Sequence, residues 1–138
     1  MFDVLTTINW FSVLLAFLGY VILGTVWYLF LFPKSYRISL GRDPHVNASE
    51  APIYIIGPTI CALIVTLSCT VLMYALNISS YGEAIQFTLI VGIGFLFTNT
   101  VNIGINPNIP KPFLYGMITG MYHLVGMVIV NTILFAMK

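Results

Sequence analysis

The sequence predicts an all-α integral membrane protein: an antiparallel bundle of four membrane-spanning helices with a short interfacial helix after the first span. Of its 138 residues, 59% are hydrophobic and only 7% are charged, against about 25% charged in an average soluble domain. Such a chain has too few charged residues to form the surface of a water-soluble protein. The composition therefore excludes a soluble enzyme, a disordered tail and a nucleic-acid-binding protein. The charged residues also leave four long uncharged segments, at 4–33, 51–82, 84–110 and 112–137.

The length of these uncharged segments sets the number of spans. A helix crosses the hydrocarbon core in roughly 20 residues, so each segment has room for one crossing and not for two. We therefore predict a single transmembrane domain over 1–138. Its spans are expected at about 9–32, 53–76, 84–105 and 113–136.

Helix-breaking residues lie between the predicted spans. Pro33 ends the first span and Pro52 begins the second, while turn-forming residues occupy 77–82 and 106–112. Pro58 lies in or just after the first turn of the second span. It is either a harmless proline near a helix start or the cause of a bend.

The segment after the first span has the pattern of a short amphipathic helix. Phe32, Tyr36 and Leu40 follow i, i+4, i+8 spacing, with Lys34 and Arg37 between them. This pattern indicates a helix lying in the membrane interface with its basic residues toward lipid phosphates. The alternative is an irregular connector whose charges only follow the positive-inside rule.

Lysine and arginine are distributed unequally between the two sides of the predicted bundle. Loops 1 and 3, at about 33–52 and 106–112, carry four of these residues, whereas the termini and loop 2 together carry Lys138 alone. Because cytoplasmic loops are enriched in Lys and Arg, we expect loops 1 and 3 in the cytoplasm and both termini outside.

Polar residues inside the spans are the candidate binding residues, since each needs a hydrogen-bond partner in hydrocarbon. The third and fourth spans supply them, as Asn99, Asn102, Asn106, Tyr122, His123 and Asn131. Asn99 and His123 are equally far from the third loop, so we expect them to meet and a polar track to run between spans three and four. His123 is then a structural hydrogen-bonding residue, a proton-accepting or ligand-binding group, or a haem or metal ligand.

Small residues indicate where helices pack closely. Gly116 and Gly120 form a GxxxG motif in the fourth span, and Gly57, Cys61 and Ser68 are expected to form a small-residue face of the second span against a neighbouring helix. No hydrolase, kinase or dinucleotide signature and no catalytic residue set is present. Cys61 and Cys69 are two helical turns apart without a third metal ligand. We therefore predict no metal or cofactor and favour a protein that is not an enzyme.

Several short motifs resemble the domain of unknown function 1761 family, whose members are small, mostly bacterial, multi-span membrane proteins. The motifs are Ile8-Asn9-Trp10, Gly24-Thr-Val-Trp27-Tyr28, Leu31-Phe32, Gly41, Gly94-Phe95 and Tyr122-His123-Leu124-Val125. The resemblance extends over nearly the whole chain. It implies a bacterial plasma-membrane protein and singles out Asn9, Trp27, Tyr28, Tyr122 and His123, without assigning them roles.

These observations favour a transporter or channel-like protein for a small polar solute, water or protons, which pass along the asparagine track. The alternative is a non-catalytic membrane subunit that binds another membrane protein through small-residue helix faces. A membrane enzyme acting on lipids, or a haem protein, is a third interpretation. The expected partners are the lipid bilayer and a second copy or another membrane protein, and no nucleic acid.

Overall fold

The computed structural model describes residues 2–46 and 51–138, so residue 1 and residues 47–50 of the first loop lie outside the described residues. Within the described ranges every regular element is helical. A short 3-10 helix, Phe2–Thr6, is followed by α1 (Trp10–Leu31), α2 (Pro33–Ser39), α3 (Ile53–Ala75), α4 (Tyr81–Gly104) and α5 (Pro112–Ala136). The helices α1, α3, α4 and α5 are long and apolar enough to cross a membrane, which confirms the four predicted spans. The short helix predicted after the first span is α2.

The helix α4 begins earlier than predicted. Its first residue is Tyr81, and Ser80 caps the helix by accepting a hydrogen bond from the Glu83 amide (3.2 Å). The Glu83 carboxylate in turn accepts a hydrogen bond from the Ser79 amide (2.7 Å). A carboxylate is favourable in the first turn of a helix. Glu83 therefore lies in the first turn of α4, the position that its place at the outer end of this span favours, and the span includes it, whereas the predicted bounds began one residue later.

The helix α5 is the centre of the structure and the most buried of the four spanning helices. It packs antiparallel to α1 on one side and antiparallel to α4 on the other, while α3 packs mainly against α1. A thiol–thioether contact between Cys69 and Met127 (3.6 Å) joins α3 to α5. Consecutive in sequence, α3 and α4 hardly touch, so α4 is supported almost entirely by α5.

Two stretches of π-helix interrupt the spanning helices, Trp27–Leu31 at the end of α1 and Gly92–Phe97 within α4. A π turn contains an extra residue, so it rotates all the following side chains relative to a regular α-helix. In α1 the π stretch closes with a hydrogen bond from the Phe32 amide to the Trp27 carbonyl (2.8 Å). Neither stretch was predicted from the sequence.

Chain connections define the two ends of the bundle. At the loop end, α2 lies against residues 105–111, where the Lys111 amide donates to the Ser39 carbonyl (3.2 Å). Gly41 follows α2 with a φ of +68°, a left-handed conformation that favours glycine. At the termini end, which comprises residues 2–9, 76–80 and 137–138, side chains from several helices converge.

The convergence at the termini end is centred on Asn9. Its side-chain oxygen caps α1 by accepting from the Phe11 amide (3.1 Å) and the Ser12 amide (3.3 Å). Its side-chain nitrogen donates to the Met137 carbonyl (2.8 Å), and its main-chain amide donates to the Tyr74 hydroxyl (3.1 Å). One residue therefore joins α1, α3 and the end of α5. This is a structural role for the Asn of the Ile8-Asn9-Trp10 motif.

Candidate functional site

The candidate site is centred on a hydrogen bond between Tyr20 and His123, which joins α1 to α5. The Tyr20 hydroxyl oxygen lies 2.6 Å from His123 Nδ1. Tyr20 is only 1% exposed and His123 is half-buried. Each residue lies near the middle of its helix, so the pair lies near the middle of the predicted membrane. A hydrogen bond in this apolar region is stronger than the same bond in water.

The chemistry of this pair is that of proton exchange. A neutral imidazole accepts a hydrogen bond through one ring nitrogen and donates through the other, whereas the imidazolium donates through both. A phenol both donates and accepts. Both tautomers of His123 are therefore compatible with the 2.6 Å contact, and protonation of the ring makes Nδ1 a donor to the Tyr20 hydroxyl, which reverses the bond only in the tautomer whose Nδ1 accepts.

Four more tyrosines extend from this pair to the loop end. The ring centres of Tyr20 and Tyr122 are 5.3 Å apart, those of Tyr122 and Tyr28 5.2 Å, and those of Tyr28 and Tyr36 4.9 Å. The Tyr36 ring centre is 6.0 Å from that of Tyr115. We call these five tyrosines and His123 the tyrosine–histidine chain. It runs from α2 and the start of α5 to the centre of the bundle.

The buried hydroxyl of Thr119, beside this chain, has no hydrogen-bond partner among the described residues. Thr119 Oγ1 lies next to Tyr28, but the contact does not reach hydrogen-bond geometry. Thr119 Oγ1 therefore has no hydrogen-bond partner among the described residues. Buried polar groups in this situation commonly bind water. We infer that a bound water molecule can link Tyr28 and Thr119.

At the loop end, Tyr36 lies outside the spanning helices. Burial raises the pKa of its hydroxyl and the neighbouring Tyr115 raises the pKa further, while Arg42 opposes both by lowering it. Tyr36 is therefore a neutral phenol at physiological pH. Its ring is half-buried and lies beside basic residues of the first loop.

Two glycines leave room for the tyrosine rings. A methyl group on Gly126 would overlap the ring of Tyr20, and one on Gly24 would lie 3.1 Å from the Tyr122 hydroxyl. The absence of side chains at these two positions therefore allows α1 and α5 to approach closely. The sequence interpretation assigned Gly24 to helix packing but did not single out Gly126.

Trp27 lies in the same region, where it joins α1 to α5 by a hydrogen bond. Its indole nitrogen donates to the Ile118 carbonyl of α5 (3.0 Å), and its ring packs against Phe32 with centres 4.8 Å apart. Trp27 is 9% exposed. It therefore fixes the end of α1 against α5, and its ring centre lies 6.4 Å from that of Tyr122.

The predicted asparagine track between the third and fourth spans is not present. Asn99 and Asn102 are exposed on the outer surface of α4, and their side chains make no hydrogen bond in the described part of the chain. Asn106 stabilises the turn after α4, since it donates to the Ile103 carbonyl (2.6 Å) and accepts from the Asn108 amide (2.8 Å). The expected contact of Asn99 with His123 is replaced by the Tyr20 contact.

The reason lies in the face that α4 turns toward α5. Phe97, Val101 and Gly104 occupy that face, and Gly116 and Gly120 of α5 pack against Val101 and Phe97. A carbon added at Gly116 would lie 3.1 Å from the Val101 Cα. This interface is therefore filled by small and apolar groups, and the asparagines lie outside it.

Asn131 lies between α4 and α5, but nearer the termini end. It is 1% exposed, and its side-chain nitrogen donates to the Thr88 hydroxyl (2.9 Å). Its side-chain oxygen has no partner among the described residues. A cleft of about 70 Å³ adjoins the two residues. Asn131 is not connected to the tyrosine–histidine chain, since Met127 and Val130 fill the intervening core.

The small-residue face expected on the second span has no neighbouring helix among the described residues. Cys61 and Ser68 of α3 are exposed, and no atom lies within 4 Å of a carbon added at Gly57. The predicted packing of these residues against a neighbouring helix is therefore not found in the described structure. Across the described residues, no group of three or more His, Cys, Asp or Glu side chains is placed to bind a metal ion.

Tyr20 is the functional candidate that the sequence interpretation missed. A tyrosine in an apolar segment resembles a packing residue, whereas an asparagine inside a span is recognised at once as polar. The available signal was its position: a hydroxyl in the middle of a span needs a partner as much as the imidazole does. Pairing the mid-span tyrosine of α1 with the mid-span histidine of α5 was possible from the sequence.

Comparison with known proteins gives one match. Residues 11–135 match the family described as "Protein of unknown function (DUF1761)", which is nearly the whole chain. Neither the curated proteins nor the solved structures include a match.

Proposed function

Because the chain belongs to the DUF1761 family, whose description assigns no activity, we propose a function from the site itself: a small membrane transporter that moves protons through the tyrosine–histidine chain. The observation that carries this proposal is the 2.6 Å contact between the Tyr20 hydroxyl and His123 Nδ1 near the middle of the membrane. Ionisable groups inside membrane spans are energetically costly and are typically functional.

The loop half of the protein supports proton access to His123. Phenol hydroxyls donate and accept, and water bound beside Thr119 and Tyr28 can bridge the gaps between them. The chain begins at Tyr36 and Tyr115, where α2 meets α5. The proposed proton route therefore runs from the loop end along these rings to His123.

The half of the bundle nearer the termini is apolar, in contrast to the loop half. The side chains packed there between α1, α3 and α5 are apolar and at most 4% exposed: Val13, Ala16, Met73, Met127, Val130 and Leu134. The buried hydroxyls of Ser12, Thr66 and Thr70 donate to carbonyls of their own helices. This half is a barrier to protons. We therefore expect the slow turnover of a transporter that must change conformation, and not the fast flux of an open pore.

Proton flux into vesicles tests this function. The full chain is reconstituted with a pH-sensitive dye inside, a pH gradient is imposed, and potassium with an ionophore balances the charge. We expect wild-type vesicles to dissipate the gradient faster than empty ones, and His123→Ala to reduce the rate to that of empty vesicles. His45→Ala is the matched control, because His45 lies exposed in the first loop. A wild-type rate equal to that of empty vesicles would contradict the proposal.

We also propose that the loop end faces the cytoplasm of a bacterial plasma membrane. Lys34, Arg37, Arg42 and Lys111 all lie at this end, and Lys138 at the other donates to the Ile78 carbonyl (2.7 Å). An impermeant thiol reagent applied to intact cells checks the orientation in a Cys61→Ser, Cys69→Ala background. A cysteine replacing Thr6 should react, and one replacing His45 should react only after lysis; the reverse pattern would refute this orientation.

A second candidate function is a non-catalytic subunit that binds another membrane protein. The exposed small-residue face of α3, at Gly57, Cys61 and Ser68, favours it, because small residues allow another helix to approach closely. Purification in a mild detergent, with Gly57→Leu as the comparison, tests this alternative. A partner protein retained by the wild type and lost from the variant would support it, and recovery of the chain alone from both would count against it.

A further inference from the structure

The outer surface of α4 carries polar side chains that the chain itself does not cover. Among the spanning helices α4 packs against α5, which contacts its Phe97, Val101 and Gly104 face. Asn99 and Asn102 lie elsewhere on the helix, are exposed, and have no hydrogen-bond partner in the described residues. Each carboxamide is thus left with both its donors and its acceptor unused.

The position of Asn99 makes this arrangement unfavourable in a lone copy. Asn99 lies five residues before the end of α4 at Gly104, which is about 7.5 Å along the helix axis. Its side chain is therefore inside the predicted span. A polar group in hydrocarbon costs free energy unless it forms hydrogen bonds. A partner molecule that offers hydrogen-bonding groups at this depth removes the cost.

We propose that this face of α4 binds the same face of a second copy of the chain, to form a symmetric dimer. A carboxamide donates and accepts, so Asn99 pairs with its own symmetry mate without any other residue type. A two-fold axis along the membrane normal keeps both Asn99 side chains at one depth. In the dimer, the Asn99 carboxamides that have no partner in a single copy form hydrogen bonds with each other.

The neighbouring residues allow the two helices to approach. Gly94 in the π stretch and Thr98 and Asn102 after it are all exposed. Among the described residues, no atom of another helix lies within 4 Å of a carbon added at Gly94. The Thr98 hydroxyl donates to the Ile93 carbonyl (2.7 Å) and so needs no other partner. Small-xxx-small patterns bring membrane helices into close contact, and no charged residue lies in 84–110 to oppose this.

Dimer formation can be measured by subunit counting or energy transfer with the labelled full chain diluted into lipid vesicles. We expect wild type to dimerise and Asn99→Leu to raise the dimer dissociation constant about tenfold, from the typical strength of hydrogen bonds between membrane helices. Asn99→Gln keeps the carboxamide and should retain most of the affinity. Gln86→Leu is the matched control, since it removes another exposed carboxamide from α4 and should have no effect.

Disulfide trapping gives an independent readout that does not depend on the loss of a hydrogen bond. In a Cys61→Ser, Cys69→Ala background, Asn99→Cys should form a disulfide-linked dimer on mild oxidation, and Gln86→Cys should not. A monomeric wild type at all protein-to-lipid ratios would overturn the proposal. So would equal dimer affinities for Asn99→Leu and Gln86→Leu, or equal trapping at positions 99 and 86.

Discussion

Replacing Gly126 with alanine is expected to lower the free energy of unfolding and to break the contact between Tyr20 and His123. A methyl group at this position overlaps the Tyr20 ring, which is 1% exposed and has no room to move aside. The helices α1 and α5 must separate, or the ring must leave its position. Overpacking of this kind typically costs about 1–3 kcal/mol. Denaturant unfolding in detergent micelles measures the change.

The control for this variant is another glycine in a helix. Gly82→Ala adds the same methyl group in the first turn of α4, where the nearest atom is the Ser80 hydroxyl oxygen at 3.8 Å, so it should leave stability unchanged or raise it by up to about 1 kcal/mol. Equal stabilities for Gly126→Ala and wild type would show that the close packing of α1 on α5 at this point is incorrect.

Replacing Gly116 with leucine should displace α4 from the rest of the bundle. The nearest neighbour of an added carbon is the Val101 Cα, 3.1 Å away. Because this neighbour is backbone, a side-chain rotation cannot relieve the overlap, and α4 has no other spanning helix to hold it. Spin labels at exposed Ile90 on α4 and Leu29 on α1 should report a longer and broader distance distribution by pulsed electron resonance.

Gly82→Leu is the comparison for this second variant, because it adds the same side chain at the exposed start of α4, where an added carbon lies 3.8 Å from the Ser80 hydroxyl oxygen. The label distances in that variant should match those of the unsubstituted chain. A Gly116→Leu distribution that also matches would mean that the α4–α5 interface is looser than the glycine contact indicates.

Spacing of charges was sufficient to predict the spanning helices, because a charge inside hydrocarbon is rare and each uncharged segment fits one crossing. The helix α4 begins earlier than predicted because Ser80 caps it and Glu83 lies in its first turn, so the charge that was used as the boundary of the span is inside the helix. The π stretches at Trp27–Leu31 and Gly92–Phe97 could not be predicted, since no local sequence pattern distinguishes them from α-helix.

The candidate site was only partly predictable. His123 was identified from its cost in hydrocarbon, but its partner was assigned to α4 because the two are equally far from the third loop. The distance from the loop predicts how deep a residue lies in the membrane, but not which way its side chain points. Asn99 is near the depth of His123 but lies on the face of α4 that points away from α5. The direction of the Asn99 side chain depends on which residues of α4 fill the interface with α5. Val101 and Phe97 fill it, because they pack against Gly116 and Gly120.

The most direct test of the account is a nitrogen NMR spectrum of the histidine side chains in lipid bilayers. The chain has two histidines, His45 and His123, so the exposed loop residue serves as an internal reference. We predict that Nδ1 of His123 shows the shift of a strongly hydrogen-bonded nitrogen in the wild type, and that Tyr20→Phe abolishes this shift while leaving His45 unchanged. A His123 signal that is the same in both proteins would contradict the Tyr20–His123 pair and, with it, the proposed proton route.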